Sequence, residues 1–409
     1  MKRKLGVWIV GARGNVATCA IAGTAAILRG VLDRTGLVTE TQVCAGLPLV
    51  DLPQLVFGGW EVRPGTVADA ARDFGERNGL LTSDVRRKIA PDLRRAEREI
   101  RPGILLNASA AVLAMTGPAA PKKEKLAAAF DRLQADLRSF RERNRLDDVI
   151  VVNLASTEAT PGDIPALRSL AAFRKAVAAN RGAGLPASVV YAVAALDAGF
   201  PFIDFTPSIA TGTAPAREAA AAAKVPCMGR DGKTGETLLK TVLAPMFVAR
   251  NLHVMTWAGF NMLGNRDGEV LREGGSLASK VRDKDEALRR ILKDEHTFSR
   301  VRIDYVPSLD DWKQAYDFIH FRGFLGARMQ MHFLWQGCDS ALAAPLVLDL
   351  VRLTDLARRR GAVGTLPHLA CFFKTPLDAD VQDFAEQMRL LSDWCAAARA
   401  PATPSRHRA

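Results

Sequence analysis

Leu5-Gly6-Val7-Trp8-Ile9-Val10-Gly11-Ala12-Arg13-Gly14-Asn15-Val16-Ala17 stands almost at the start of the chain. Leu5 to Val10 is short, apolar and uncharged, which predicts a strand buried on both faces. Gly11-Ala12-Arg13-Gly14 then allows a tight turn, and the alanine-rich run that follows predicts a helix to about Leu28. Strand, glycine turn and helix with the pattern G-x-x-G-x-x-A predict a nucleotide-binding unit of the Rossmann type. In such a unit the turn lets backbone approach a pyrophosphate, and the helix N-terminus attracts it. The plainer alternative is an ordinary strand-to-helix turn.

Further elements extend this reading. An acid after the second strand holds ribose hydroxyls in such folds, and Asp51 and Glu61 are the candidates. Glu61 follows Phe57-Gly58-Gly59-Trp60, a turn that would end a strand. Residues 82–145 are charged with helical periodicity. Val149 to Leu154 predicts another buried strand, ending in the polar group Ala155-Ser156-Thr157-Glu158. Val189–Ala198 predicts a helix, Phe202–Ser208 a strand and loop, and Pro215 opens a helix continuing from Ala216 to Lys224.

From Thr234 the texture changes. Val254–Trp257, Val301–Tyr305 and Met329–Phe333 alternate like strands of an antiparallel sheet. Leu342 to Arg358 predicts a long apolar helix. The expected fold is therefore α/β: a Rossmann-type, doubly wound domain interrupted by a smaller α+β unit. The expected division is 1–233 and 339–398 for the first, 234–338 for the insert, and a disordered tail over 399–409.

The chain has 409 residues, nearly half of them apolar, and a formal net charge of +12. Its basic residues are scattered among acids, as in Asp92-Leu93-Arg94-Arg95-Ala96-Glu97-Arg98-Glu99, which argues against nucleic acid as a partner. Attraction of an anionic substrate and cofactor is the expected use of the excess charge. The six cysteines are widely spread without CxxC or zinc spacing, so reduced thiols, no metal and a cytoplasmic location are expected. The apolar runs near the start are too short for a signal peptide or a membrane span.

The stretch Val225–Thr237 concentrates the chemistry, with Gly264-Asn265-Arg266-Asp267-Gly268 and Ser279–Lys284 after it. Thr234-Gly235-Glu236-Thr237 at a helix start offers hydroxyls and free N–H groups to a phosphate; the alternative is helix capping alone. The Glu236 carboxylate would repel phosphate unless its side chain turns away. Lys280 and Lys284 would share one helix face, for an anion or simply for water. Lys374 ends the apolar, strand-like run His368–Phe373, where a partly desolvated ammonium can act as acid, base or oxyanion partner. The histidines are isolated and read as structural.

Taken together, these residues resemble the myo-inositol-1-phosphate synthase family. Gly11–Ala17 looks like its glycine loop, and Phe57-Gly58-Gly59-Trp60-Glu61 like its F-G-G-W-D segment. Gly229–Thr237 is similar to G-D-D-x-K-S-G-Q-T, Asn261–Gly268 to N-x-L-G-N-x-D-G, and Ser279–Lys284 to S-K-x-x-x-K. Cys338–Pro345 and Phe373–Leu377 match further segments. The resemblance implies conversion of D-glucose 6-phosphate to 1D-myo-inositol 3-phosphate. In the family, NAD⁺ takes hydride from C5, the C6 enolate attacks the C1 aldehyde, and the hydride returns to C5.

Carried over by position, Lys280, Lys284 and Lys374 would be acid/base and oxyanion groups, with Asp267 ordering lysines. Thr234, Gly235, Glu236, Thr237, Leu263 and Asn265 would bind substrate. Gly11, Ala12, Arg13, Gly14, Asn15, Val16, Glu61, Asp231, Asp339 and Ser340 would bind NAD. A homotetramer built through the inserted sheet is implied as well. Three departures stand out: Glu236 replaces Gln, Arg230 replaces an Asp and would offset Glu236, and a further family lysine aligns with Pro307, leaving Lys313 as its substitute. The competing expectations are a semialdehyde- or homoserine-type dehydrogenase that releases NADH, and a non-catalytic binding protein.

Overall fold

The computed structural model describes residues 2–117, 120, 124–265, 288–294 and 296–399. Expectations for Asp267, Lys280, Lys284 and the last ten residues lie outside them. In chain order the first sheet uses β1 (Leu5–Val10), β2 (Leu55–Glu61), β3 (Ile100–Pro102), β4 (Asp148–Asn153), β5 (Phe202–Asp204) and β6 (Cys227–Gly229). The helices between and after them are α1 (Asn15–Leu28), α2 (Val67–Asn78), α3 (Ser83–Glu97), α4 (Ala110–Ala114), α5 (Leu126–Asn144), α6 (Leu170–Ala178), α7 (Ala187–Asp197), α8 (Ala214–Ala223) and α9 (Gly235–Ala249). The second sheet holds β7 (His253–Leu263), β8 (Phe298–Tyr305), β9 (Trp312–Arg322) and β10 (Arg328–Cys338). It is followed by α10 (Asp339–Arg359) and α11 (Phe384–Arg399).

The first sheet has the order β3-β2-β1-β4-β5-β6, and all its pairings are parallel. All six residues of β1 are buried, because helices cover both sides. Its alternating side chains feed two cores. Val7 and Ile9 pack with α1, α3, α10 and α11, and Trp8 and Val10 with α5, α6, α7 and α8. The chain leaves β1 toward β2 on one side and reaches β4 on the other. That reversal opens a crevice at the strands' C-terminal ends, where such sheets bind ligands.

The second sheet has the order β10-β9-β7-β8. Contrary to the antiparallel expectation, β7 and β8 run parallel, while β9 pairs antiparallel with both β7 and β10. The physical reason is the long connection between Leu263 and Phe298, which permits a crossover where a short one forces a hairpin. One face of this sheet packs Trp257 and Ile319 against Phe247 of α9. The other carries Phe260, Tyr316 and Leu334 in one cross-strand row, with Leu334 68% exposed.

Two further expectations need correction. The run before Lys374 is not strand-like: Pro367–Phe372 is a 3-10 helix with proline in its first turn. Leu369–Phe372 is a run of consecutive buried residues, with no periodicity that separates the two. Arg399 does not begin the tail; it ends α11 and donates to the carbonyls of Ala45 and Val43. Among the described residues no helix is long and apolar enough to cross a membrane.

Candidate active site

A cavity of about 580 Å³ lies at the C-terminal ends of β1 and β4. Its floor is the glycine turn. Gly11 has φ +81°, and a Cβ there would sit 3.1 Å from the Ala155 Cα. Gly14 caps α1, and a Cβ on it would press on the Gly11 carbonyl at 3.1 Å. The N-terminus of α1 therefore meets the cavity through Gly14, Asn15 and Val16. A dinucleotide's phosphates fit this bare backbone and positive helix end. Ala12 is buried in the core, and Arg13 turns away to the Glu97 carboxylate (2.6 Å) and the Arg63 carbonyl (2.7 Å).

Glu61 ends β2 at the cavity wall, whereas Asp51 caps a 3-10 turn and pairs with Arg34 at 2.7 Å. The Glu61 carboxylate accepts from the backbone N–H of Arg13 (2.7 Å), Val62 (2.9 Å) and Arg63 (3.0 Å). Burial works to raise its pKa, but the Arg63 charge and these donors prevail and hold it below the ordinary value. Glu61 thus ties β2 to the glycine turn.

The opposite wall comes from the end of β6 and from the segment after the 3-10 helix. Residues 230–233 run antiparallel to 372–375: Lys233 N–H donates to the Phe372 carbonyl (2.8 Å) and Lys374 N–H to the Asp231 carbonyl (2.7 Å). This ladder places the Lys374 ammonium 2.6 Å from the Asp231 carboxylate, with both residues lining the cavity. Next to them Thr234 occupies the N-cap position of α9, yet its hydroxyl donates to Asp339 at 3.1 Å and does not cap the helix. Gly235 follows with φ +58°. Thr237 is fully buried, and its hydroxyl has no partner among the described residues.

Glu236 points away from the cavity, which removes the conflict with phosphate. It is 1% exposed and lies 2.8 Å from the equally buried Lys240 one turn on. Asp317, which accepts from the Trp257 indole at 2.7 Å, stands 4.0 Å from the same ammonium. Gly259 leaves the room, since a Cβ there would come within 2.3 Å of the Glu236 carboxylate. Among the described residues, Lys240 therefore answers the Glu236 charge. Arg230 donates instead to the Pro207 carbonyl.

One carboxylate gathers the remaining walls. Asp311, 1% exposed, precedes β9 and accepts from the Asn15 side chain (3.2 Å) and the Asn265 side chain (3.2 Å). It also accepts from the Ser340 N–H (2.7 Å) and hydroxyl (3.0 Å) at the start of α10. Its backbone carbonyl accepts from Asp339 N–H at 3.0 Å. Leu263 lies just below, at the end of β7, with its carbonyl accepting from Val306.

A family model described as myo-inositol-1-phosphate synthase matches residues 5–396. The chain belongs to the myo-inositol-1-phosphate synthase family. It is 33% identical over 411 residues to inositol-3-phosphate synthase 1 of Bacteroides thetaiotaomicron, covering 96% of this chain and 93% of the relative. Against inositol-3-phosphate synthase isozyme 2 of Arabidopsis thaliana it is 29% identical, covering 87% and 75%. The inositol-3-phosphate synthase structure from Caenorhabditis elegans shares the fold with a TM-score of 0.86 at 22% identity, over 99% of this chain and 88% of that one. A myo-inositol-1-phosphate synthase-related protein from Thermotoga maritima gives 0.74 at 22% identity, over 96% and 99%.

In this synthase-family chain the described cavity brings together Gly11, Gly14, Asn15, Val16 and Glu61 from the expected cofactor set, with Asp231, Asp339 and Ser340. From the expected substrate set it includes Thr234 and Asn265, and from the catalytic set Lys374. Gly235, Glu236, Thr237 and Leu263 stand behind that wall. Pro307 opens a 3-10 turn, and Lys313 follows on β9. Sequence reading passed over Asp311, Lys240 and Asp317 as functional positions. The i, i+4 spacing of Glu236 and Lys240 was the one local signal for the buried pair.

Proposed function

We propose that the chain is an NAD-dependent inositol-3-phosphate synthase, an isomerase that converts D-glucose 6-phosphate to 1D-myo-inositol 3-phosphate. The observation that carries this reading is the Asp231–Lys374 pair, 2.6 Å apart, in one cavity with a glycine turn and the start of α9. NAD held by the turn, the α1 N-terminus and the Asp231, Asp339 and Ser340 wall would supply oxidation at C5 and the returning hydride. The chain's own residues do the rest. The Lys374 ammonium, fixed by Asp231, donates to the C5 oxygen and stabilises the enolate left when C6 loses its proton. Thr234, Asn265 and the α9 N-terminus hold the phosphate and hydroxyls so that C6 faces C1. Lys280 and Lys284 take the further acid/base roles, ordered by Asp267. Lys313, on β9 two residues after Asp311, substitutes for the lysine replaced by Pro307. We also assign the exposed row Phe260, Tyr316 and Leu334 to contact with further copies in a cytoplasmic homotetramer.

The test is to incubate protein, NAD⁺ and D-glucose 6-phosphate and follow both the sugar and the coenzyme. A phosphorylated cyclitol without net NADH is expected; NADH in step with substrate loss would favour a net dehydrogenase. Lys374→Ala is expected to abolish ring closure, by about 10²-fold or more, while NAD⁺ still binds. Near-normal turnover in that variant would refute the role of Lys374.

A further inference from the structure

Cys44 and Cys395 meet in the core that α1, α10 and α11 share, with their sulfurs 3.9 Å apart. Both are free thiols, 3% and 0% exposed, and they stand 351 residues apart in the chain. Cys44 ends the 3-10 turn Gln42–Cys44, between α1 and β2, and Cys395 lies near the end of α11. The pair is shallow: Ala45 and Gly46 on one side, and Ala396 and Ala397 on the other, are exposed. The reaction proposed above uses neither thiol.

Arg399 holds the two elements together. One turn on from Cys395, it donates to the carbonyls of Val43 (2.6 Å) and Ala45 (2.8 Å), the residues on either side of Cys44. The thiol contact from Cys44 lowers the Cys395 pKa below the ordinary thiol value; burial opposes this and the Arg399 charge adds to it. Cys44 is raised, first by the same contact and then by burial, with Asp349 and Cys371 adding to it. Cys395 is thus the sulfur poised to attack and Cys44 the one placed to follow. Cys371, on the 3-10 helix, belongs to the same core, and burial pushes its thiol up to about 12.

We propose that Cys44 and Cys395 form a reversible oxidation site, at which hydrogen peroxide converts two thiols to a disulfide that clasps α11 to the segment after α1. The Cys395 thiolate attacks one peroxide oxygen, the O–O bond breaks, and the hydroxide that leaves takes up a proton as water. The Cys44 sulfur, giving up its proton, then attacks the sulfenic acid on Cys395; the S–S bond forms and a second water leaves. Two thiols lose two electrons, and one peroxide becomes two waters. Bonding draws the sulfurs in to about 2 Å. The short turn and the helix end are the elements that give, since chain ends open at least cost. A cross-link across so long a stretch of chain restricts the unfolded state strongly and stabilises the folded one.

The test uses the full chain, fully reduced and then treated with a small excess of hydrogen peroxide. Thiols counted after denaturation are expected to fall by two, and non-reducing peptide mapping should show Cys44 joined to Cys395 within one chain. The melting temperature should rise by about 3–5 °C and return to its starting value with dithiothreitol. Cys395→Ala and, as a second variant, Cys44→Ala should give neither the linked peptide nor the rise. Mapping of the unaltered protein decides the matter even if neither variant folds. An unchanged thiol count, or a link that joins Cys371 or a second chain, overturns the proposal. A Cys44–Cys395 link that leaves the melting temperature in place overturns the clasp.

Discussion

Ser340 gives both its backbone N–H, at 2.7 Å, and its hydroxyl, at 3.0 Å, to the buried carboxylate of Asp311. The two residues belong to different parts of the architecture. Ser340 opens the helix that returns to the first sheet, and Asp311 leads into the second. Asn15, at the start of α1, and Asn265, beyond β7, meet the same carboxylate. One acceptor thus holds four segments around the cavity.

Removing that acceptor leaves the Ser340 N–H and two side-chain amides without their partner. Asp311→Ala is expected to lose about 2–4 kcal/mol of stability and to weaken NAD⁺ binding at least about tenfold. Denaturant unfolding and a tryptophan-fluorescence titration with NAD⁺ measure the two effects. Unchanged affinity in a folded variant would deny Asp311 its organising role.

Lys240 holds α9 to the second sheet through two buried carboxylates. Lys240→Met removes the buried cation that faces the Glu236 and Asp317 carboxylates, and a loss of about 3–5 kcal/mol is expected. The double variant with Glu236→Met should recover part of that loss, because a buried carboxylate is removed together with the cation it faced. Equal stability of Lys240→Met and the unaltered protein at pH 7 would show that the pair contributes nothing.

Asp204, fully buried at the end of β5, has its carboxyl raised to about 7, chiefly by burial and against the hydrogen bonds from Thr206 and Asn153. A raised carboxyl binds its proton more tightly in the folded state. Its contribution is therefore complete below about pH 4, the unfolded value, and is lost as pH rises through about 7. Relative to Asp204→Asn, the unaltered protein should lose on the order of 3–4 kcal/mol between pH 4 and pH 8. Unfolding free energies of both proteins across that range decide it, and parallel curves would refute the assignment.

The exposed row on the second sheet gives a prediction about assembly. Leu334→Glu places a charge in the middle of a surface that a partner copy must desolvate. The unaltered protein should behave as a tetramer in light scattering and the variant as smaller species. A monomer for the unaltered protein would count against the assignment.

Some of this was legible in residue order alone. The strand Leu5–Val10, its glycine turn and the following helix were readable because hydrophobic run length and left-handed backbone at Gly11 are local requirements. The alanine-rich helices and the long helix after Asp339 were readable for the same reason. The 3-10 helix before Lys374 was not, since four consecutive buried residues, Leu369–Phe372, carry no period. The parallel pairing of β7 with β8 depends on a crossover that no local pattern encodes.

Residue types and spacing determined where a glycine turn, a hydroxyl-rich helix start and an isolated lysine would lie, because each is a property of a few consecutive residues. Only tertiary structure decided which of them meet. Asp311 reaches Asn15 across 296 residues, and Glu236 turns from the cavity because Gly259, on another strand, leaves the space. Burial and partnership are set by chain segments far apart in sequence, and those alone decide what a charged side chain can do.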